Sequence, residues 1–275
     1  MKCIDFDEQF SRYVRRWMES VVEEGLSMDE AEDMMPEVYE RFLDTPAAWL
    51  NGVRPGEYFL AYDDPVYLIR WLEQYIRERV NLPDMLLNRI VELGSRAEAP
   101  LDALIRSDAA PLEEKMLAVT LLREIGSLLP LDVYVDWQAG RGLDDELCDN
   151  AVESLEEMGE AAVGPMLEAL EGATDAGKEA LLSALSRYPG DERVYQGLIS
   201  LFDRCPDRQA ILACYLSRLG DVRALDRLIA RAADDRTGYL DYIELRSAIE
   251  ALGGDAPERE FDADPGYDAL FGTGL

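Results

Sequence analysis

The side chains with most scope for chemistry are charged. Arg223, Arg227 and Arg231 stand at i, i+4 and i+8, so one helix would carry them as a single ridge, away from Leu225, Leu228 and Ile229. A row of guanidinium groups suits recognition of carboxylates or phosphates. Arg204 and Arg208 extend the patch: residues 204–236 hold seven arginines and five aspartates, a net of +2 in a chain of −30. The competing reading is that these arginines pair with acids on neighbouring segments. Segment 144–160 has the opposite character, with eight acidic residues and no basic one. Asp145, Asp149, Glu153, Glu156 and Glu157 form its centre, an acidic face that could dock a basic partner or mimic DNA, or simply be a solvated helix face.

The acidic pairs Asp63-Asp64, Asp144-Asp145 and Asp234-Asp235 could in principle act as acid/base or metal carboxylates. All three precede expected helices, where carboxylates cap free N–H groups, and capping is the preferred reading. The stretch from Asp262 to Asp268 has the outline of a calcium loop, but glycine falls at position five and position twelve is Thr273, which carries no carboxylate. No metal and no cofactor is therefore expected. The chain contains no histidine, which excludes Ser-His-Asp and Cys-His catalysis and His-ligated zinc. Cys3, Cys148, Cys205 and Cys214 form no C-x-x-C pair; Cys148 and Cys214 lie in apolar periodic segments and are expected to be buried thiols.

Composition narrows the setting. With 57 acidic against 27 basic residues, the chain is a poor candidate for direct nucleic-acid binding, which draws on Lys and Arg to neutralise phosphates. At 48% hydrophobic residues it is too apolar to be disordered. Residues 1–8 lack an apolar core and turn acidic at once, unlike a signal peptide. No apolar run approaches the ~18 residues that a membrane span needs. A cytoplasmic monomer is the expectation, and free thiols suit that reducing compartment.

These residues must be positioned by helices, because the apolar pattern is helical almost throughout. Phe6, Phe10, Tyr13, Val14, Trp17, Met18 and Val21 mark one helix face. Ser27-Met28-Asp29-Glu30 reads as a capping box opening a helix that runs through Pro36 to Phe42. A turn-rich stretch covers 44–57, and Asp64-Pro65 starts the next helix. From about residue 81 the text repeats. An apolar residue followed by glycine recurs at Gly94, Gly126, Gly159, Gly190, Gly220 and Gly253, at spacings of 32, 33, 31, 30 and 33 residues. In Tyr188-Pro189-Gly190 a proline intervenes between the apolar residue and the glycine. Glycine ends one helix, and Ser95, Ser127, Glu160, Asp191 or Asp221 follows at the start of the next. Each unit is thus two antiparallel helices, which must stack on neighbours to bury both faces. The unit at 127–143 is irregular, with Leu131 to Trp137 where a second helix belongs.

The order of apolar helix, Leu/Ile-Gly, short turn, and second helix beginning Ala/Val-Pro/Val-x-Leu resembles HEAT repeats, the short phycobilisome-lyase type above all. The resemblance covers about 82–254 and is best at 144–234. It implies an all-α fold, an α-α superhelix of five to six helix pairs, with the second helix of each pair on the concave side. The expected organisation is a helical N-terminal cap at 1–80, HEAT-like repeats at 81–254 and an acidic tail at 255–275, folded back so that Phe261, Tyr267, Leu270 and Phe271 cover the open edge of the last repeat. The segment from Phe42 to Pro55 also resembles a turn in some antitoxin domains, although a helix end, turn and new helix start explain the same residues.

The functional expectation is a non-catalytic interaction scaffold. It would bind a protein or peptide through the concave groove, at Arg223, Arg227, Arg231, Arg204 and Arg208, or through the acidic face. The alternatives are a phycobilisome-lyase-like protein handling a chromophore, or an acidic inhibitor of a basic partner, acting as a DNA mimic or an antitoxin.

Overall fold

The computed structural model describes residues 1–24, 27–143, 145–261 and 264–267, with only the backbone given for 20–24. Among the described residues all regular structure is helical, and helices pack on helices throughout. The chain divides into two compact units, Met1–Pro130 and Leu131–Leu275.

The first unit contains α1 (Phe6–Glu24), α2 (Met28–Asp33), α3 (Met35–Asp44), α4 (Pro65–Glu78), α5 (Asp84–Glu92), α6 (Ser95–Ile105) and α7 (Leu112–Ile125). The capping box forms: Ser27 accepts from Glu30 N, and Glu30 accepts from Ser27 N. The single helix expected after it is instead two, α2 and α3, meeting at Met34. Pro36 sits in the first turn of α3 and has no N–H, so the helical ladder breaks just ahead of it. The turn-rich stretch forms two 3₁₀ turns, Ala48–Leu50 and Pro55–Ala61. The second brings Tyr58 and Phe59 onto Trp71 of α4, with ring centroids 5.8 and 5.0 Å apart. Tyr75, fully buried, donates its hydroxyl to Ile4 O and accepts from Ile4 N, so the chain start is tied to α4.

The second unit contains α8 (Leu131–Gly140), α9 (Glu146–Glu157), α10 (Glu160–Ala169), α11 (Asp175–Leu185), α12 (Glu192–Arg204), α13 (Gln209–Leu219), α14 (Leu225–Ala233) and α15 (Tyr239–Ala251). The segment that looked irregular in sequence, Leu131 to Trp137, is helical as part of α8. It packs on α9, α10 and α11 through buried Tyr134 and Val135. All six repeat glycines take positive φ, from 55° at Gly94 to 116° at Gly190, which is why the sequence repeats glycine there. Asp191 and Asp221 cap the turns that follow by accepting from Arg193 N and Arg223 N. Ser95 and Glu160 are instead the first helical residues, behind glycines at the cap.

The acidic pairs divide by position. Asp64 caps α4 and Asp145 caps α9, as their spacing predicted. Asp234 departs from the expectation. It holds a turn by accepting from Arg236 N, and the α15 N-terminus receives its carboxylate from the tail: Asp264 accepts from Tyr239 N at 3.0 Å. The sequence pattern could not show this, because the cap comes from 25 residues further along the chain. Asp144, Asp262, Asp268, Leu270, Phe271 and Thr273 lie outside the described residues.

The described part of the tail packs on α15. Phe261 is buried against Tyr239 and Tyr242, at 5.2 and 5.0 Å, and Tyr267 meets Tyr239 at 5.0 Å. Tyr242 donates its hydroxyl to Pro257 O at 2.7 Å. Arg259 donates to Ala232 O, Asp234 O and Thr237 O, closing the loop after α14, and stacks 4.7 Å from the Phe261 centroid. Burial works against the Asp264 charge, yet backbone N–H groups of Tyr239, Gly266 and Tyr267, with Arg259 nearby, hold its pKa below the ordinary carboxylate value. A depressed folded pKa stabilises above the unfolded value, near 3.9, and that contribution is lost as pH falls through the folded value. The stability gap between wild type and Asp264→Asn should therefore be constant from pH 7 to about 5 and narrow below about pH 4. Thermal melts across that range check this; a gap independent of pH would contradict it.

Candidate functional site

The arginine patch is built by the repeat itself. Arg187 reaches Glu156, Arg204 reaches Asp175, Arg208 reaches Glu179 and Arg223 reaches Glu192, across sequence separations of 29 to 31 residues. That separation is close to the repeat period, so each pair links one helix pair to the next. Arg223 is also held by Asp221 and lies 4.0 Å from the Tyr195 ring centroid. Its hydrogen bonds keep both Asp221 and Glu192 below the usual carboxylate range. Arg227 pairs with Asp203.

The three ridge arginines do not act as one row. Arg223 belongs to the 3₁₀ turn Val222–Ala224 that precedes α14, while Arg227 and Arg231 belong to α14. Arg223 and Arg227 reach acids of α12, the corresponding helix of the preceding pair. Arg231 turns to Asp234 at 3.5 Å, and its side chain is only 17% exposed. Exposed pairs of this kind add little stability each and are screened by salt. A ligand's carboxylate would have to displace an internal one at every position. For Arg204, Arg208 and Arg223 the signal was present in the sequence as acids placed about one period upstream, whereas Arg231 takes an acid beside it.

The acidic face is similarly part-used. Asp145 is a helix cap, Asp149 pairs with Arg141, and Glu156 pairs with Arg187. Asp149, Glu153 and Glu157 are exposed on α9, together with Glu146. They are spaced by three or four residues, so they share one face of the helix.

A different feature has the geometry of a binding site: a groove of about 650 Å³ with α10 and α12 as walls and α11 as floor. Leu167 comes from α10 and Leu170 from its C-cap, Leu182 from α11 and Leu201 from α12. Arg193, Gln196, Ser200 and Arg204 follow one another along α12. Gly197 stands among them because α12 lies close on α11: a Cβ there would meet Leu182 Cδ1 at 2.9 Å. Lys178 rises from α11 one turn before Leu182. Of the proposed arginines only Arg204 reaches this groove, at its edge.

No family model and no curated protein significantly matches this chain. The site must therefore be read from its own chemistry. Among the described residues no group of three or more His, Cys, Asp or Glu side chains could hold a metal ion. All four cysteines are free thiols; Cys148 is buried as expected, whereas Cys214 is partly exposed. Burial pushes Cys148 up to about 12, and Cys3 and Cys214 up to about 11, so these three stay protonated at neutral pH and are poor nucleophiles. No described helix is long and apolar enough to cross a membrane.

Proposed function

We propose that this chain is a non-catalytic interaction scaffold of the HEAT-repeat type, working in the cytoplasm, which binds a segment of another protein in the groove between α10 and α12. The observation that carries the reading is the groove itself: an open, leucine-floored channel that holds one cation, Lys178, whose side chain has no partner among the described residues. Leucine floors with a few convergent polar groups are what binding grooves present. The protonated thiols and the lack of histidine favour binding over catalysis. The HEAT reading rests on helix pairs, on positive-φ glycines at a period of 30 to 33 residues, and on inter-repeat ion pairs of nearly the same period. Such a fold hosts many roles, so the site and not the fold must name the function.

A second reading keeps the acidic face as the binding surface for a basic partner, favoured by the exposed stripe Glu146, Asp149, Glu153 and Glu157. Site-specific photo-crosslinking in native extract separates the two. A crosslinking residue at Gln196 should give one discrete adduct, removed by excess unlabelled protein. An adduct from Glu153 alone would move the site to the acidic face. Adducts from neither position would overturn both readings.

A further inference from the structure

We infer that the α10–α12 groove takes an amphipathic segment of a protein partner with a fixed charge order: leucine-type side chains on the floor, a carboxylate at Lys178, and cations along the opposite edge. The inference deepens the scaffold reading and rests on it.

Lys178 carries the argument. It is one of only three lysines in the chain, it is half-buried, and its side chain makes no hydrogen bond or ion pair among the described residues. Its neighbours differ: Arg193 holds Asp191, and Arg204 holds Asp175. The aliphatic stem of Lys178 is covered by the groove while the ammonium is left without a counter-charge, so a carboxylate on an occupant would find a cation free to pair with it. The two walls have opposite signs. Arg193 and Arg204 lie on α12, while Glu168 of α10 and Glu171 just after it are exposed, and their side chains form no hydrogen bond among the described residues. Because the floor between them is leucine, an occupant must be apolar along its centre and oppositely charged along its two edges. A helical or extended segment can satisfy all three demands. A small amphiphilic carboxylate would answer Lys178 and the floor but leave Glu168 and Glu171 facing water.

The test is a selection of random dodecapeptides displayed on phage against the full chain, counter-selected on Lys178→Glu. Enriched peptides should combine leucine-type residues at helical or alternate spacing with acids on one edge and bases on the other. A labelled peptide from that set should bind Lys178→Glu at least tenfold more weakly in fluorescence anisotropy. It should regain affinity when its own carboxylate is exchanged for lysine. Lys178→Met, checked for an unchanged melting temperature, guards against a folding defect in the charge-reversed variant. No enrichment, enrichment of uniformly basic peptides, or equal binding by Lys178→Glu would overturn the inference. So would calorimetric binding of laurate with no peptide enriched. The crosslink at Gln196 keeps the two readings apart. An adduct that persists in Lys178→Glu leaves the scaffold standing and removes this occupant, whereas loss of the adduct from wild type removes the groove altogether.

Discussion

Replacing Gly177 with alanine should lower the melting temperature by about 10 °C. The new Cβ would sit 2.4 Å from Gln138 O and 2.8 Å from Ala139 O, both backbone atoms at the C-terminal end of α8. Backbone cannot rotate aside as a side chain would, so α11 must move away from α8. That motion breaks a small network: Thr174 N donates to Ala139 O, Thr174 Oγ1 donates to Arg141 O, and Gly177 N donates to Thr174 Oγ1. The side chain of Gln138, fully buried, donates to Cys148 O and accepts from Arg141, so the disturbance reaches α9. Overpacking typically costs about 1–3 kcal/mol, and loss of a helix cap adds about 1. At roughly 3 kcal/mol in total, a unit of this size loses about 3–4 °C per kcal/mol. Gly140→Ala is the control: no heavy atom lies within 4 Å of its Cβ, and the change should be neutral or stabilise by up to about 0.5 kcal/mol. Equal melting temperatures for the two variants would show that α8 and α11 do not approach so closely.

Ending the chain at Gly254 should destabilise it by about 4 kcal/mol and promote aggregation. Removing Phe261 forfeits about 2 kcal/mol of apolar burial, and removing Arg259 forfeits hydrogen bonds from a charged group, worth about 1.5–3 kcal/mol. The truncation also uncovers Tyr239 and Tyr242 beside Leu245 and Ile249 of α15, an apolar edge of the kind that terminal caps in repeat proteins keep from associating. Two point variants divide the effect. Arg259→Ala should retain the aromatic contacts and lose about half the stability of the truncation, and Phe261→Ala should lose a similar share. A truncated chain that melts with wild type and remains monomeric by light scattering would show that the tail does not serve as a cap.

The helices were legible because their signals are local. Apolar residues at three- and four-residue steps, the Ser27–Glu30 box, Asp64 before Pro65 and the periodic glycines all act within one or two turns. The sites were less legible because their partners are distant in sequence. Arg223 looks available when read beside Arg227 and Arg231, but the chain supplies Glu192 to it from the preceding repeat unit. Arg259 carries no local signal at all, since its three acceptors are main-chain carbonyls between Ala232 and Thr237. Lys178 went unremarked because what distinguishes it is the absence of a partner, which only packing reveals.

By itself, then, the sequence determined that this is an all-helical chain with a repeat near 32 residues, since backbone preference and apolar periodicity are properties of neighbouring residues. Tertiary structure decided which charges remain available. Stacking one helix pair on the next brings Arg204, Arg208 and Arg223 onto acids about one period upstream, and, among the described residues, leaves the side chain of Lys178 unpaired in the leucine-lined groove between α10 and α12.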